Sequence, residues 1–375
     1  SGAYRTDRLF TLETIDWGFM RPKLPDDRSL AYAQSEWMIE FIVERWGFDA
    51  VLALLKQFDE GRAQADAFQR VLKTDPTTFI SDFRTWAARQ ITSWALSVAL
   101  VKDAATLDKA LQADPEDADL HAQRAEAAWL ASDLDACEES ARRALTLNRE
   151  QPLALAAIGR VLLARARMFK ADQKRWKASN AFVEAEEYLE RLRAQDADHP
   201  DVLKGLAIIK QSTREWDAAQ SHWEAYQKVQ PRDPAGYRSL AGIHLKAGRR
   251  AAALPLLEEY YRLDRSDAAV PRQIGEIYMD RGDADSAARW FRRAVEAEAY
   301  DAELYRQWAK ACRSGERWSE AIAAYQSLIT LDPNDADALR ALADCYEAQG
   351  DSAQAEPYRR RAAVLDGDAP ADDNE

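Results

Sequence analysis

The chain has 375 residues and a net charge of −13, with 47% apolar residues and only 14 glycines. The acidic balance argues against general nucleic-acid binding, and no apolar run approaches the roughly 18 residues that a membrane-crossing helix needs. Abundant Ala, Leu, Glu and Arg point to a mostly helical protein.

In chain order, residues 1–28 read as an irregular segment. The chain opens at Ser1-Gly2 without Met and is read as part of a longer protein, so no compartment is assigned; an extracytoplasmic parent is one option. Pro22, Pro25 and Asp26-Asp27 interrupt any helix, and Ser29 is placed to cap the next one. Helical spacing then runs from Leu30 to Trp46, ending at Gly47, and again over about 48–58 and 62–73. A fourth helix starts at Asp75-Pro76-Thr77, with Phe79, Phe83, Trp86 and Ala87 on one face. Tyr32 reads as a core aromatic, with a place facing the cleft of a complete domain as the alternative.

AYAQSE at 31–36, Trp46-Gly47-Phe48, Leu54-Leu55, Gly61, Ala67-Phe68 and the stretch from Phe79 to Trp86 make residues 29–99 resemble the helical C-terminal part of peptidase MA-like gluzincin domains. In that family the segment follows the zinc-binding helix, and the resemblance implies a zinc metallopeptidase as parent. The chemistry needs H-E-x-x-H. The four histidines, His121, His199, His222 and His244, include no pair at that spacing. No catalytic residue, metal ligand or cofactor is therefore assigned, and the chain itself is read as a non-enzyme.

Residues 84–117 read as a degenerate repeat whose first helix continues the fourth helix without a flexible linker. From Ala118 the chain repeats every 34 residues, most clearly from Ala302 to Asp335. Position 8 of each unit holds Ala125, Gly159, Ala207, Ala241, Gly275, Ala309 and Ala343, and position 20 holds Cys137, Ala185, Ala219, Ala253, Ala287, Ala321 and Ala355. Small residues recur where two helices cross closely. With Gly near position 15, an aromatic or Leu near 24 and a Pro-containing turn at the end, the units resemble the tetratricopeptide repeat, TPR. The resemblance implies an all-α fold, a right-handed α-solenoid of about seven helix pairs opening near 118, 152, 200, 234, 268, 302 and 336, with the N-terminal block packed on the first repeats. Cys137, Cys312 and Cys345 form no CxxC and read as buried thiols, with a Cys312–Cys345 redox pair as the alternative.

The unit at Pro152 carries fourteen extra residues between its two small positions, enough for about two helical turns on each partner. The added stretch, 164–180, is basic and aromatic. Arg165, Arg167, Phe169, Lys174, Arg175 and Trp176 are candidates for a docking knob, against the alternative of a solvated hairpin tip with stapling aromatics. Residues 366–375 form an acidic tail expected to be disordered.

In TPR arrays the first helices line a concave groove. Position 5, which faces it, holds Lys204, Arg238, Arg272, Arg306 and Arg340 in succession. The row fits a protein or peptide partner with spaced carboxylates, since each guanidinium presents a fork to one of them. The alternative is local pairing, Arg272–Glu276 and Arg340–Asp344 at i,i+4 and Glu303–Arg306 at i,i+3. Lys204 and Arg238 have Ile208 and Gly242 at position 9, so these two are read as the better ligand contacts. No unit has the Asn that chaperone-binding TPR proteins carry at position 9. The chain is thus read as a scaffold for an acidic peptide or protein; the alternative is the substrate-presenting C-terminal part of a zinc peptidase.

Overall fold

The computed structural model describes residues 2–93 and 99–367, and every helix or strand assigned there is a helix. They fall into two compact units, residues 1–232 and 233–375.

The first unit begins with α1 (Gly2–Arg5), α2 (Ile15–Met20), α3 (Asp27–Trp46), α4 (Phe48–Asp59), α5 (Gln64–Val71), α6 (Pro76–Ser93) and α7 (Ala104–Ala113). The segment expected to be irregular thus holds two short helices. The third starts at Asp27, before Ser29, because the Asp27 carboxylate accepts the amides of Lys23 and Leu24 and closes a turn ahead of it. Phe41, Phe68, Phe79, Phe83 and Trp86 form an aromatic core for this block. Gln34, buried in α3, binds both main-chain groups of Phe10 and ties the N-terminal segment down. Tyr32 is not core. It is 65% exposed, edge-on to Phe19, because α3 turns Ala31, Gln34, Met38 and Phe41 inward instead. Continuity of α6 into a further repeat falls on 94–98, outside the described residues.

Six helices follow in this unit and pair in chain order: α8 (Ala118–Leu130) with α9 (Leu134–Leu147), α10 (Pro152–Ala171) with α11 (Arg175–Gln195), and α12 (Pro200–Thr213) with α13 (Trp216–Val229). The second unit has four such pairs: α14 (Pro234–Lys246) with α15 (Arg250–Leu263), α16 (Ala269–Asp280) with α17 (Ala284–Ala297), α18 (Ala302–Ser314) with α19 (Trp318–Leu331), and α20 (Ala336–Ala348) with α21 (Ser352–Asp366). Caps set their starts. Asp117, Asp133, Asp283, Asp301, Asp335 and Asp351 each accept an amide from the first turn of the following helix. Proline opens α10, α12 and α14, where its missing N–H costs nothing.

All fourteen small positions, 8 and 20 of each pair, are buried. The reason is visible at Gly275, where a Cβ would come within 2.9 Å of the Phe291 ring from the partner helix. Within each pair the turn is closed by a residue with left-handed backbone: Ser132, Gln173, Arg214, Gly248, Gly282, Glu316 and Gly350. Glycine takes that conformation freely; the four others carry a strain on the order of 1 kcal/mol.

The fourteen extra residues lengthen α10 and α11 to 20 and 21 residues, where the other paired helices have 12 to 15. The three cysteines are free and fully buried, Cys312 and Cys345 in one core cluster. Burial pushes the Cys137 thiol up to about 11 and that of Cys312 to about 12. Both are protonated thiols acting as small apolar groups.

Candidate functional site

The position-5 row is built into the array by ion pairs that run from one helix pair to the next. Arg238 meets Asp267 at 2.9 Å, Arg272 meets Asp301 at 3.3 Å, and Arg306 meets Asp335 at 2.6 Å. Each acid lies 29 residues after its arginine. Its other oxygen accepts amides at the start of the next first helix: Asp267 from Ala269, Asp301 from Glu303 and Leu304, Asp335 from Ala338. One carboxylate therefore caps a helix and staples it to the preceding pair. Burial pushes the Asp335 carboxyl up, but Arg306 and the Ala338 amide outweigh it and hold it below the ordinary carboxylate range.

Arg238 has no acid at position 9 but has Asp267 across the helix pair, and also lies over the Tyr260 ring. The expected pair Arg272–Glu276 is present at 3.3 Å, and Arg306 also meets Glu303. Arg340 does not turn to Asp344; it meets Asp337 and Asp366, at the end of α21. The rest of the acidic tail, 368–375, lies outside the described residues. In the first unit, Lys204 sits over the Tyr226 ring, its ammonium 3.4 Å from the hydroxyl.

Sequence reasoning missed the cations next to this row. The first-helix face of α18 and α20 forms a cleft of about 670 Å³. Met279, Tyr325, Ala338 and Ala341 supply apolar lining, with Arg306, Lys310, Arg313 and Arg340 as cations and Asp337 and Asp344 as acids. Arg306 and Arg340 are committed to close acids. Lys310 is exposed and makes no ion pair among the described residues, and Arg313 meets Asp344 at 3.9 Å and hydrogen-bonds Tyr325. Lys310 and Arg313 occupy positions 9 and 12 of their unit, so the signal was available in the repeat register.

The hairpin tip divides in two. Arg165 is not part of a free tip: it binds Asp135 at 2.5 Å and Glu138 at 2.7 Å on the preceding pair, so it braces the hairpin. Lys174 meets Asp172 at 3.0 Å. Arg167, Arg175 and Trp176 are exposed, and Phe169 is half-buried. Trp176 is 66% exposed, so it does not staple α10 to α11; Lys177 lies over both Phe169 and Trp176.

None of the histidines joins a cluster of metal-binding side chains among the described residues. His199 caps α12, accepting the Asp201 amide, and His121 lies against the Pro115 carbonyl. No helix among these residues is long and apolar enough to cross a membrane.

Family models described as tetratricopeptide repeat match residues 177–243, 245–303 and 338–371, and one described as TPR repeat matches 309–350. Superkiller complex protein 3 of Mus musculus is 28% identical over 147 residues, and that of Homo sapiens 25% over 147 residues. The match takes in 39% of this chain but 9% of those proteins, so the chain spans under a tenth of the curated relatives it matches. Among solved structures, MamA is 19% identical over 45% of this chain and 92% of its own, with a TM-score of 0.36. YrrB, described as a TPR protein with an unusual peptide-binding site, is 16% identical over 48% of this chain and 93% of its own, with a TM-score of 0.38. The helical array between residues 177 and 366 is built of tetratricopeptide repeats.

Proposed function

We propose that this chain is a protein-interaction scaffold that holds an acidic peptide against the first-helix face of α18 and α20. The observation that carries the proposal is Lys310, an exposed cation with no ion pair among the described residues, beside Arg313 in a cleft whose apolar lining accepts side chains between the carboxylates. In a protein of net charge −13 a local excess of cations is a selective feature, because acidic partners are repelled elsewhere. Of the position-5 row, Arg306 and Arg340 line the cleft itself, whereas Arg238 and Arg272 are paired with Asp267 and Asp301. The exposed tip residues Arg167, Arg175 and Trp176 form a separate candidate docking element within the first unit.

A fluorescein-labelled glutamate-rich peptide titrated with the protein tests this. Lys310→Glu/Arg313→Glu weakens binding by about tenfold or more, with the wild-type affinity falling as salt rises. Equal affinity of wild type and double variant refutes the cleft, and loss only in Arg175→Glu/Trp176→Ala moves the site to the hairpin.

A second reading is favoured by one observation. Tyr32, Ile39 and Val43 on α3 and Phe48, Leu52 and Leu55 on α4 leave an uncovered apolar surface on residues 29–99. On this reading that surface docks the block onto the remainder of a peptidase MA-like domain that carries the zinc ligands. Absence of zinc-dependent peptide hydrolysis from a longer polypeptide that includes the upstream sequence would rule it out.

A further inference from the structure

The first repeats hold a buried charge cluster that the acidic-peptide reading does not use. Glu126, at position 9 of α8, has a side chain only 6% exposed. One of its oxygens takes Arg160, at position 9 of α10, which stacks over the Trp129 ring and lies 3.7 Å from Asp201. The other oxygen takes Arg5, at 2.9 Å, from the N-terminal helix α1. Burial alone would push the Glu126 carboxyl up, yet the two guanidinium groups hold it below its ordinary range. A carboxylate has room for two such forks, and at this depth an oxygen left without one is costly.

The group that supplies the second fork comes from outside the repeats. α1 is four residues long and buries none of them. Arg5 is anchored by the Val101 amide, which donates to its carbonyl at 2.8 Å, and by its own Nε to the Ala99 carbonyl at 3.3 Å. Beyond it, the exposed Asp7 meets Arg84 at 2.6 Å. So a deep acidic acceptor on the first-helix face is filled by a guanidinium from an N-terminal strap that is not part of the repeats.

We propose that the first-helix face of α8 and α10 is a guanidinium-binding site for an arginine-bearing peptide, filled in this chain by Arg5. A partner's arginine exchanges for Arg5 without changing the charge balance at Glu126, since one guanidinium replaces another. Arg160 and Trp129 stay in place and form the wall of the site. The proposal is independent of the cationic cleft on α18 and α20, and neither result bears on the other.

The test uses the full chain and a labelled peptide copy of residues 2–7, GAYRTD, whose only arginine is Arg5. The Arg5→Ala protein binds this peptide at least about tenfold more tightly than wild type, whose own strap competes. Adding Glu126→Gln to Arg5→Ala removes that binding. The same peptide with citrulline in place of arginine, which keeps the shape and loses the charge, binds at least about tenfold more weakly to Arg5→Ala. That arm needs no second variant and stands if Glu126→Gln fails to fold. Absence of binding to Arg5→Ala, or equal binding of the arginine and citrulline peptides, overturns the proposal.

Discussion

Asp335 has two jobs that substitution separates. It accepts the Ala338 amide at 2.9 Å as the cap of α20, and it meets Arg306 of α18 at 2.6 Å with its side chain 9% exposed. Loss of a cap costs about 1 kcal/mol. A half-buried charged hydrogen bond adds about 1 to 1.5 kcal/mol, more than a surface pair because little water reaches it. Asp335→Ala is therefore expected to cost about 2 to 2.5 kcal/mol. Asp335→Asn keeps an acceptor for the cap and costs about 1, close to Arg306→Ala. The Arg306→Ala/Asp335→Ala double variant then shows a coupling of about 1 kcal/mol. Repeat arrays lose stability locally, so the measurement is hydrogen exchange of the α18–α20 amides beside urea unfolding. The pH dependence has a defined sign. The Asp335 carboxyl is held down in the folded protein, so its contribution is present above the unfolded carboxylate range near pH 4 and is lost as pH falls through the lower folded value. In Arg306→Ala that loss begins at higher pH. Coupling below about 0.3 kcal/mol would mean that the arginine row is not structural and would return it to the list of ligand contacts.

Two glycine-related positions bear on the repeat geometry. Gly275→Ala places a methyl 2.9 Å from the Phe291 ring and destabilises by about 1 to 3 kcal/mol in urea unfolding. Glu316→Gly relieves a left-handed residue at φ 56 and stabilises by about 0.5 to 1 kcal/mol, a loss of stability being the contrary result. Cys137, Cys312 and Cys345 resist iodoacetamide at pH 8 in the folded protein and react in urea, because buried thiols with raised pKa values present almost no thiolate; mass spectrometry counts the adducts.

The parts of this protein that were legible in its sequence are those that recur with the period. The helix-crossing positions were readable because Phe291 against Gly275 and Leu189 against Gly159 pose the same steric demand in different units. The Arg–Asp staples are just as periodic, with Asp267, Asp301 and Asp335 each 29 residues after a position-5 arginine. They escaped because pairs were sought at helical spacings of three and four, whereas the staple reaches from one helix pair to the start of the next. The consequence for function is direct. Arg238→Glu and Arg272→Glu would set glutamates against Asp267 and Asp301 at helix starts, so weaker peptide binding by such a variant would not separate damage to the array from loss of a ligand contact.

What does not recur had no such signal. Arg5 lies outside the repeats, and nothing in its neighbourhood marks it as the partner of a residue 121 positions later; only the folded path of 99–101 beside it brings the two together. Tyr32 failed for a related reason. An aromatic at helical spacing is buried only if its phase matches the inward face, and in α3 that face is set by Ala31, Gln34, Met38 and Phe41. Where the period governs, one unit predicts the next. At the N-terminal block, each contact is a separate fact of packing, and the charge that Arg5 brings to Glu126 is such a contact with the repeats.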